Sequence, residues 1–192
     1  KFPYLKKVGW KGLVDGADSG VYKATPLSRC NVADGMATPL AGAEFKRMYE
    51  TLGGKPIHHT LVTHWARLVE LLYAAERWVE LATDPEITSK EYRVLPTATP
   101  TEGVGCVEAP RGTLTHHYAT DARGILTKVN LVVGTTNNNA PISMSVKKAA
   151  QGLIHGGKVS EGLLNMVEMA FRAYDPCFGC ATHNLPGQMP LE

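Results

Sequence analysis

Apolar and polar positions alternate with a helical rhythm over about a third of this chain and with a strand rhythm over a short stretch in its second half. The longest signal lies in residues 57–83. Leu61, Trp65, Leu68, Leu72, Ala75, Val79 and Ala82 recur at spacings of three and four, which predicts one long helix bounded by Pro56 and by Asp84-Pro85. A stripe of that length calls for a helical partner. Residues 41–52 predict a shorter helix ended by Gly53-Gly54, residues 142–155 another ended by Gly156-Gly157, and residues 159–174 a fourth. In the fourth, Ser160 is the expected cap, Leu163, Leu164, Val167, Phe171 and Tyr174 share a face, and Pro176 is the stop. Residues 113–120 and 125–133 are rich in branched side chains and predict two strands, with Asp121-Ala122-Arg123-Gly124 as the turn. Residues 1–40 read as irregular with one short strand near Gly20-Val21-Tyr22, and residues 84–105 as a connection rich in Pro, Thr and Gly. The expected architecture is α+β, with predominantly long packed helices and a small antiparallel β-hairpin, in a single domain spanning 1–192.

Composition narrows the function classes. The formal charge of +2 is spread without basic runs, and no aromatic residues interleave with arginine, so no nucleic-acid partner is expected. No apolar stretch is long enough to span a bilayer without charges: residues 61–81 carry Arg67, Glu70, Glu76, Arg77 and Glu80. The first residues hold no signal-peptide core and no initiator Met, consistent with a chain that begins partway into a longer polypeptide. Four cysteines do not make a disulfide scaffold, and the expected compartment is the reducing cytoplasm.

The candidate chemistry gathers at the carboxy-terminal end, in Asp175-Pro176-Cys177-Phe178-Gly179-Cys180-Ala181-Thr182-His183. Cysteines three positions apart can turn both sulfurs to one point, and His183 adds a nitrogen donor. Cys-x-x-Cys also occurs in thioredoxin-like sites, but there it opens a helix, and here it follows one. The plainer alternative is a pair of buried cysteines. Glu108-Ala109-Pro110-Arg111-Gly112 holds an arginine between a proline and a glycine. Such an arginine can present a rigid charged fork, although on these five residues alone a surface arginine in a turn is the simpler reading. Gly134-Thr135-Thr136-Asn137-Asn138-Asn139 can line a polar pocket or simply form a capped turn before the next helix. His116 and His117 lie in a strand and face opposite sides, and His58, His59, His64 and His155 have no evident partners.

Taken in order, Glu-Ala-Pro-Arg-Gly, a strand hairpin, Val-Gly-Thr-Thr-Asn-Asn-Asn and Asp-Pro-Cys-x-x-Cys-x-x-His resemble the carboxy-terminal portion of the large subunit of nickel-iron hydrogenases, in its cytoplasmic, multimeric branch. The resemblance runs from about Tyr22 onward and is densest over 102–183. It implies reversible oxidation of dihydrogen to protons and electrons at a nickel-iron centre with carbon monoxide and cyanide ligands. It also implies Cys177 as a nickel ligand, Cys180 as a nickel–iron bridge, Arg111 and Asp175 as the catalytic pair, and Pro110 and Thr135 as pocket residues. His183 would ligate a magnesium ion, with the backbone carbonyl near Leu131 contributing. Implied partners are a small iron-sulfur subunit, electron-acceptor subunits, and a polypeptide or segment bearing the family's amino-terminal Cys-x-x-Cys, which this sequence lacks. Cys30 and Cys106 are single. Residues 184–192 match the start of the family's removable extension, so a precursor or split form without a full cluster is one alternative. A structural zinc site on Cys177, Cys180, His183 and Cys106 is another.

Overall fold

The computed structural model describes residues 2–181. Six helices and three strands follow in the order α1 (Pro26–Val32), α2 (Pro39–Leu52), α3 (Val62–Thr83), β1 (Glu102–Ala109), β2 (Gly112–Thr120), β3 (Leu126–Val132), α4 (Asn139–Leu153), α5 (Glu161–Arg172) and α6 (Phe178–Ala181). This is the expected α+β class, with helices predominating, and the antiparallel sheet has the order β1-β2-β3. The chain divides into two compact units. One comprises 26–104 and 117–130; the other holds the described residues of 2–25, 105–116 and 131–181.

The first of these units is built on α1, α2 and α3. Leu27 and Cys30 from α1, Phe45, Met48 and Tyr49 from α2, Ile57, and Ala66 and Val69 from α3 form its apolar core. Polar side chains tie the rim. The Arg29 guanidinium grips the Glu70 carboxylate with two bonds of 2.6 Å. Helix α2 starts on Pro39, whose ring suits the first turn. Its first free N–H groups are taken by the carboxylate of Glu76 on α3, which accepts from Leu40 N and Ala41 N at 3.0 and 2.9 Å and from the Thr38 hydroxyl at 2.6 Å. A carboxylate at a helix N-terminus satisfies orphan donors and complements the dipole. Helix α2 ends where Gly53 turns left-handed and its N–H reaches the Tyr49 carbonyl.

In the second unit α4 packs on α5, burying Ala140, Ile142, Val167, Ala173 and Tyr174. Ser160 caps α5 as expected, its hydroxyl accepting from Leu163 N. The helix stops at Arg172, four residues before Pro176, so the proline is not what ends it.

Three expectations change. Residues 20–22 pair in no strand. Helix α1 lies in the stretch read as irregular; at seven residues it is too short to show periodicity. Strand β1 occupies the end of the supposed connection, so the hairpin is the second half of a three-stranded sheet. Its glycines, Gly103 and Gly105, hide its strand character. The turn itself is as expected: the Asp121 carboxylate accepts from Arg123 N and Ile125 N.

Candidate functional site

The site is assembled from three stretches far apart in sequence, all in the second unit. The first is the two-residue turn Pro110-Arg111 between β1 and β2. The chain must leave this turn through a crowded point, because a Cβ on Gly112 would sit 2.6 Å from the carbonyl oxygens of both Ala24 and Gly134. Gly112 also has φ +149, so the position requires glycine on both counts. The second stretch is the 3-10 turn Thr135–Asn138 leading into α4. The third is the bend between α5 and α6 that holds Asp175, Pro176 and Cys177.

Buried amides lock these stretches together. Asn138 is fully buried. Its Oδ1 accepts from Ala24 N at 2.9 Å, and its Nδ2 donates to the carbonyls of Arg111 at 2.8 Å and Ala24 at 3.2 Å. Asn137 donates from Nδ2 to Thr113 O at 2.6 Å and accepts the Tyr22 hydroxyl at 2.5 Å. Burial raises the Tyr22 pKa, which keeps the phenol a neutral donor. These asparagines brace the backbone beneath the turn rather than line an open pocket. Their role was not legible from the sequence, because backbone carbonyls as partners leave no sequence trace.

Arg111 meets Asp175. Its Nε donates to the Asp175 backbone carbonyl at 2.6 Å and lies 3.1 Å from Oδ2 of the same residue. Asp175 is the one non-glycine residue with positive φ among those described, at 50°. Asp tolerates this region better than most side chains. The left-handed bend leaves its carbonyl and its carboxylate on the same guanidinium nitrogen. The pair is part-exposed, at 40% and 43%, and the planar fork still has its two terminal NH2 groups. Thr135 is buried, and its Oγ1 accepts from the backbone N–H of Cys177 at 3.0 Å. The hydroxyl hydrogen of Thr135 is therefore left to donate elsewhere.

Arg111, Thr135, Asp175 and Cys177 are thus brought into one connected corner. Pro110 is exposed beside it, and Leu131 is half-buried in β3. The Cys180 side chain, His183 and the 184–192 extension lie outside the described residues. Cys177 is disulfide-bonded here, so it must be reduced before it can serve as a thiolate ligand. Of the other cysteines, Cys30 is buried in the α1–α3 core, and burial, followed by the nearby Glu70 carboxylate, pushes its thiol up to about 12. It is a packing residue, not a latent thiolate. Cys106 is exposed on β1, with Sγ 3.6 Å from the Thr115 hydroxyl. Among the described residues no group of three or more His, Cys, Asp or Glu side chains is placed to hold a metal ion.

Residues 20–183 match the family described as nickel-dependent hydrogenase. The chain belongs to that family. It is 53% identical over its whole length to an iron-sulfur subunit of the F420-non-reducing hydrogenase of Archaeoglobus profundus, covering 40% of that protein. It is 46% identical, again over its whole length, to the beta subunit of the NAD-reducing hydrogenase HoxS of Cupriavidus necator, covering 38% of it. Among solved structures it resembles an NAD+-reducing [NiFe]-hydrogenase in the H2-reduced state, with 40% identity and a TM-score of 0.84. That match covers 95% of this chain and 39% of the other. This hydrogenase-family chain therefore spans about 40% of the length of the curated relatives it matches. No helix among its described residues is long and apolar enough to cross a membrane.

Proposed function

We propose that this chain forms the carboxy-terminal half of the large subunit of a hydrogenase, where it supplies two of the four thiolates of a nickel-iron centre. The observation that carries the reading is the corner itself. Three segments separated by tens of residues place a guanidinium, a buried hydroxyl and the first cysteine of a Cys-x-x-Cys together.

The donor chemistry fits such a group once Cys177 is reduced. Thiolates suit soft metals, and a fixed cation beside a buried hydroxyl suits anionic cyanide ligands. In this reading Cys177 and Cys180 would hold the nickel-iron centre as thiolates, and His183, with the backbone near Leu131, would hold a magnesium ion. When bound, the centre with its carbon monoxide and cyanide ligands supplies the reversible cleavage of dihydrogen into protons and electrons.

The remaining work falls to the chain. Arg111 cannot act as a base, because a guanidinium stays protonated; it offers its terminal N–H groups to negative charge over the site. Asp175 is a positioning residue that fixes the Nε edge of that guanidinium and so sets the direction of the free edge. Thr135 spends its acceptor lone pair on Cys177 N and keeps its hydroxyl hydrogen for a cyanide. Pro110 restricts the turn that carries Arg111. The electrons would leave to the iron-sulfur clusters of a small partner subunit, then onward to acceptor subunits in the cytoplasm.

The chain alone is expected to be inactive, because two thiolates leave half of the nickel coordination unfilled. The test is hydrogen-dependent dye reduction after supply of nickel and the maturation machinery, with and without the rest of a large subunit. Activity should appear only with it. Arg111→Lys should retain nickel but lose turnover by about 100-fold, the size of effect typical for removing one preorganised donor. Clear turnover by the chain alone would contradict the missing-ligand account, and wild-type turnover in Arg111→Lys would remove Arg111 from the mechanism.

A further inference from the structure

The bend that carries Asp175 and Cys177 is fastened at both ends to one continuous helical element. The 3-10 turn Thr135–Asn138 runs directly into α4 at Asn139. At the start of that element the Thr135 hydroxyl accepts from Cys177 N at 3.0 Å. Further along, the Ser145 hydroxyl meets the Tyr174 phenol at 2.9 Å. Positions 135 and 145 are roughly 15 Å apart along the element at 1.5 Å per residue. Tyr174 is buried, and its hydroxyl also reaches the Pro141 carbonyl at 3.4 Å. A buried phenol needs such partners.

What lies between the two anchors decides where Arg111 points. Tyr174 N and Asp175 N bond back to Phe171 O and Arg172 O, each at 2.9 Å, so the chain leaving α5 tightens into successive short turns. Asp175 then takes φ 50. The group that receives Arg111 Nε at 2.6 Å is the Asp175 backbone carbonyl, not a rotatable side-chain oxygen. The guanidinium therefore follows the backbone, and a shift of residue 175 swings its terminal N–H groups. Downstream, the backbone is fixed by Pro176 and by the bond from Cys177 to Thr135. Upstream, Val167 and Ala173 are buried, but apolar burial is non-directional. The Tyr174 phenol adds a bond with a direction.

We propose that the Tyr174–Ser145 hydrogen bond makes Tyr174 a positioning residue for Arg111. It sets the Asp175 carbonyl and, through it, the direction in which the guanidinium faces the site. The consequence for turnover rests on the proposed function; the fastening itself does not.

The first measurement is solvent exchange of the Arg111 Nε–H, followed by isotope-labelled NMR in the reduced chain. Tyr174→Phe keeps the ring and removes the hydroxyl. The freed Ser145 hydroxyl can turn to the Pro141 carbonyl one helical turn back, so α4 survives the change. Ser145→Ala removes the same bond from the other side, at a half-buried position. Each variant should speed Arg111 Nε–H exchange about 5-fold, the factor that one ordinary hydrogen bond contributes. Ser145→Thr, which restores a hydroxyl, should return the wild-type rate. The Asn138 Nδ2–H groups, bonded to Ala24 O and Arg111 O in the same unit, should exchange as in the wild type throughout. Unchanged Arg111 exchange in both variants would overturn the proposal. Equal acceleration at Asn138 would overturn it too, because Tyr174 would then only hold the unit together.

The second measurement is hydrogen turnover in the nickel-loaded, assembled large subunit with its partners. Ser145→Ala should retain nickel and lose turnover about 5-fold, matching the exchange result. A loss in Arg111→Lys with none in Ser145→Ala would sink the positioning role and leave the functional reading standing. Wild-type turnover in Arg111→Lys would sink the functional reading instead, and the exchange measurement would still decide the fastening.

Discussion

The two units differ in how much of what they bury is polar. The α1–α3 unit has an apolar core of Leu27, Phe45, Met48, Val69 and neighbours, with its polar pairs Arg29–Glu70 and Thr38–Glu76 at the rim. The unit with the candidate site adds a buried polar cluster to its α4–α5 apolar contact. Thr135, Thr136, Asn137 and Asn138 are all buried, and the asparagines bond to backbone groups of Ala24, Arg111 and Thr113. An apolar core tolerates replacement of one hydrophobe by another of similar volume. An amide that bridges three backbone groups does not, because each partner it abandons stays buried and unsatisfied. The difference teaches where precision is needed. Turns that present Arg111 and Cys177 in fixed directions require directional bonds, whereas three helices need only fill space.

The largest effect should come from Asn138→Leu, which keeps the branched shape in a somewhat larger side chain and leaves the bonds to Ala24 N, Ala24 O and Arg111 O unmade. The expected loss is about 4 kcal/mol, read from the midpoint of urea unfolding. A loss under about 1 kcal/mol would erase the contrast between the units. Next comes Met48→Ala in the apolar core, where a fully buried side chain is removed; about 3 kcal/mol is expected. Met48→Leu should cost less than about 1.5 kcal/mol, and equal damage from both would mean that this core is as exacting as the amide network.

Ser160→Ala removes the α5 cap and should cost about 1 kcal/mol, with Ser160→Gly milder. The smallest effect is one of pH. Hydrogen bonding from Thr38, then from Ala41 and Leu40, holds the Glu76 carboxyl below its ordinary value. A depressed pKa contributes stability that is present above the unfolded carboxylate value and is lost as pH falls through the folded one. Thermal unfolding between pH 6 and 3 (roughly the carboxylate range) should therefore show an acid-side decline that Glu76→Gln flattens. An unchanged decline in that variant would move the effect to other carboxylates.

What could be read from the sequence divides along the same line. Periodicity located α2, α3, α4 and α5 and the β2–β3 turn, because apolar spacing and turn chemistry are local. It missed α1, which is too short to repeat, and β1, whose glycines weaken a strand signal. It read the 61–82 stripe as calling for a helical partner, yet Leu61, Leu68 and Val79 stay exposed; periodicity finds a stripe but not what covers it. At the site, residue chemistry alone pointed to the Cys-x-x-Cys of Cys177, and only the family resemblance joined Arg111, Thr135 and Asp175 to it. The bracing by Asn137 and Asn138 stayed invisible, because their partners Ala24 and Tyr22 lie more than a hundred residues away in sequence.

The most direct test of the central claim is the metal content of the purified protein, measured by mass spectrometry after reduction and maturation. The account predicts no tightly held nickel in the 192-residue chain alone. With the complementary part of the large subunit present, it predicts nickel and iron in equal amounts, lost in Cys177→Ser. Stoichiometric zinc in the isolated chain would contradict it, as would a complete assembly that holds neither nickel nor iron.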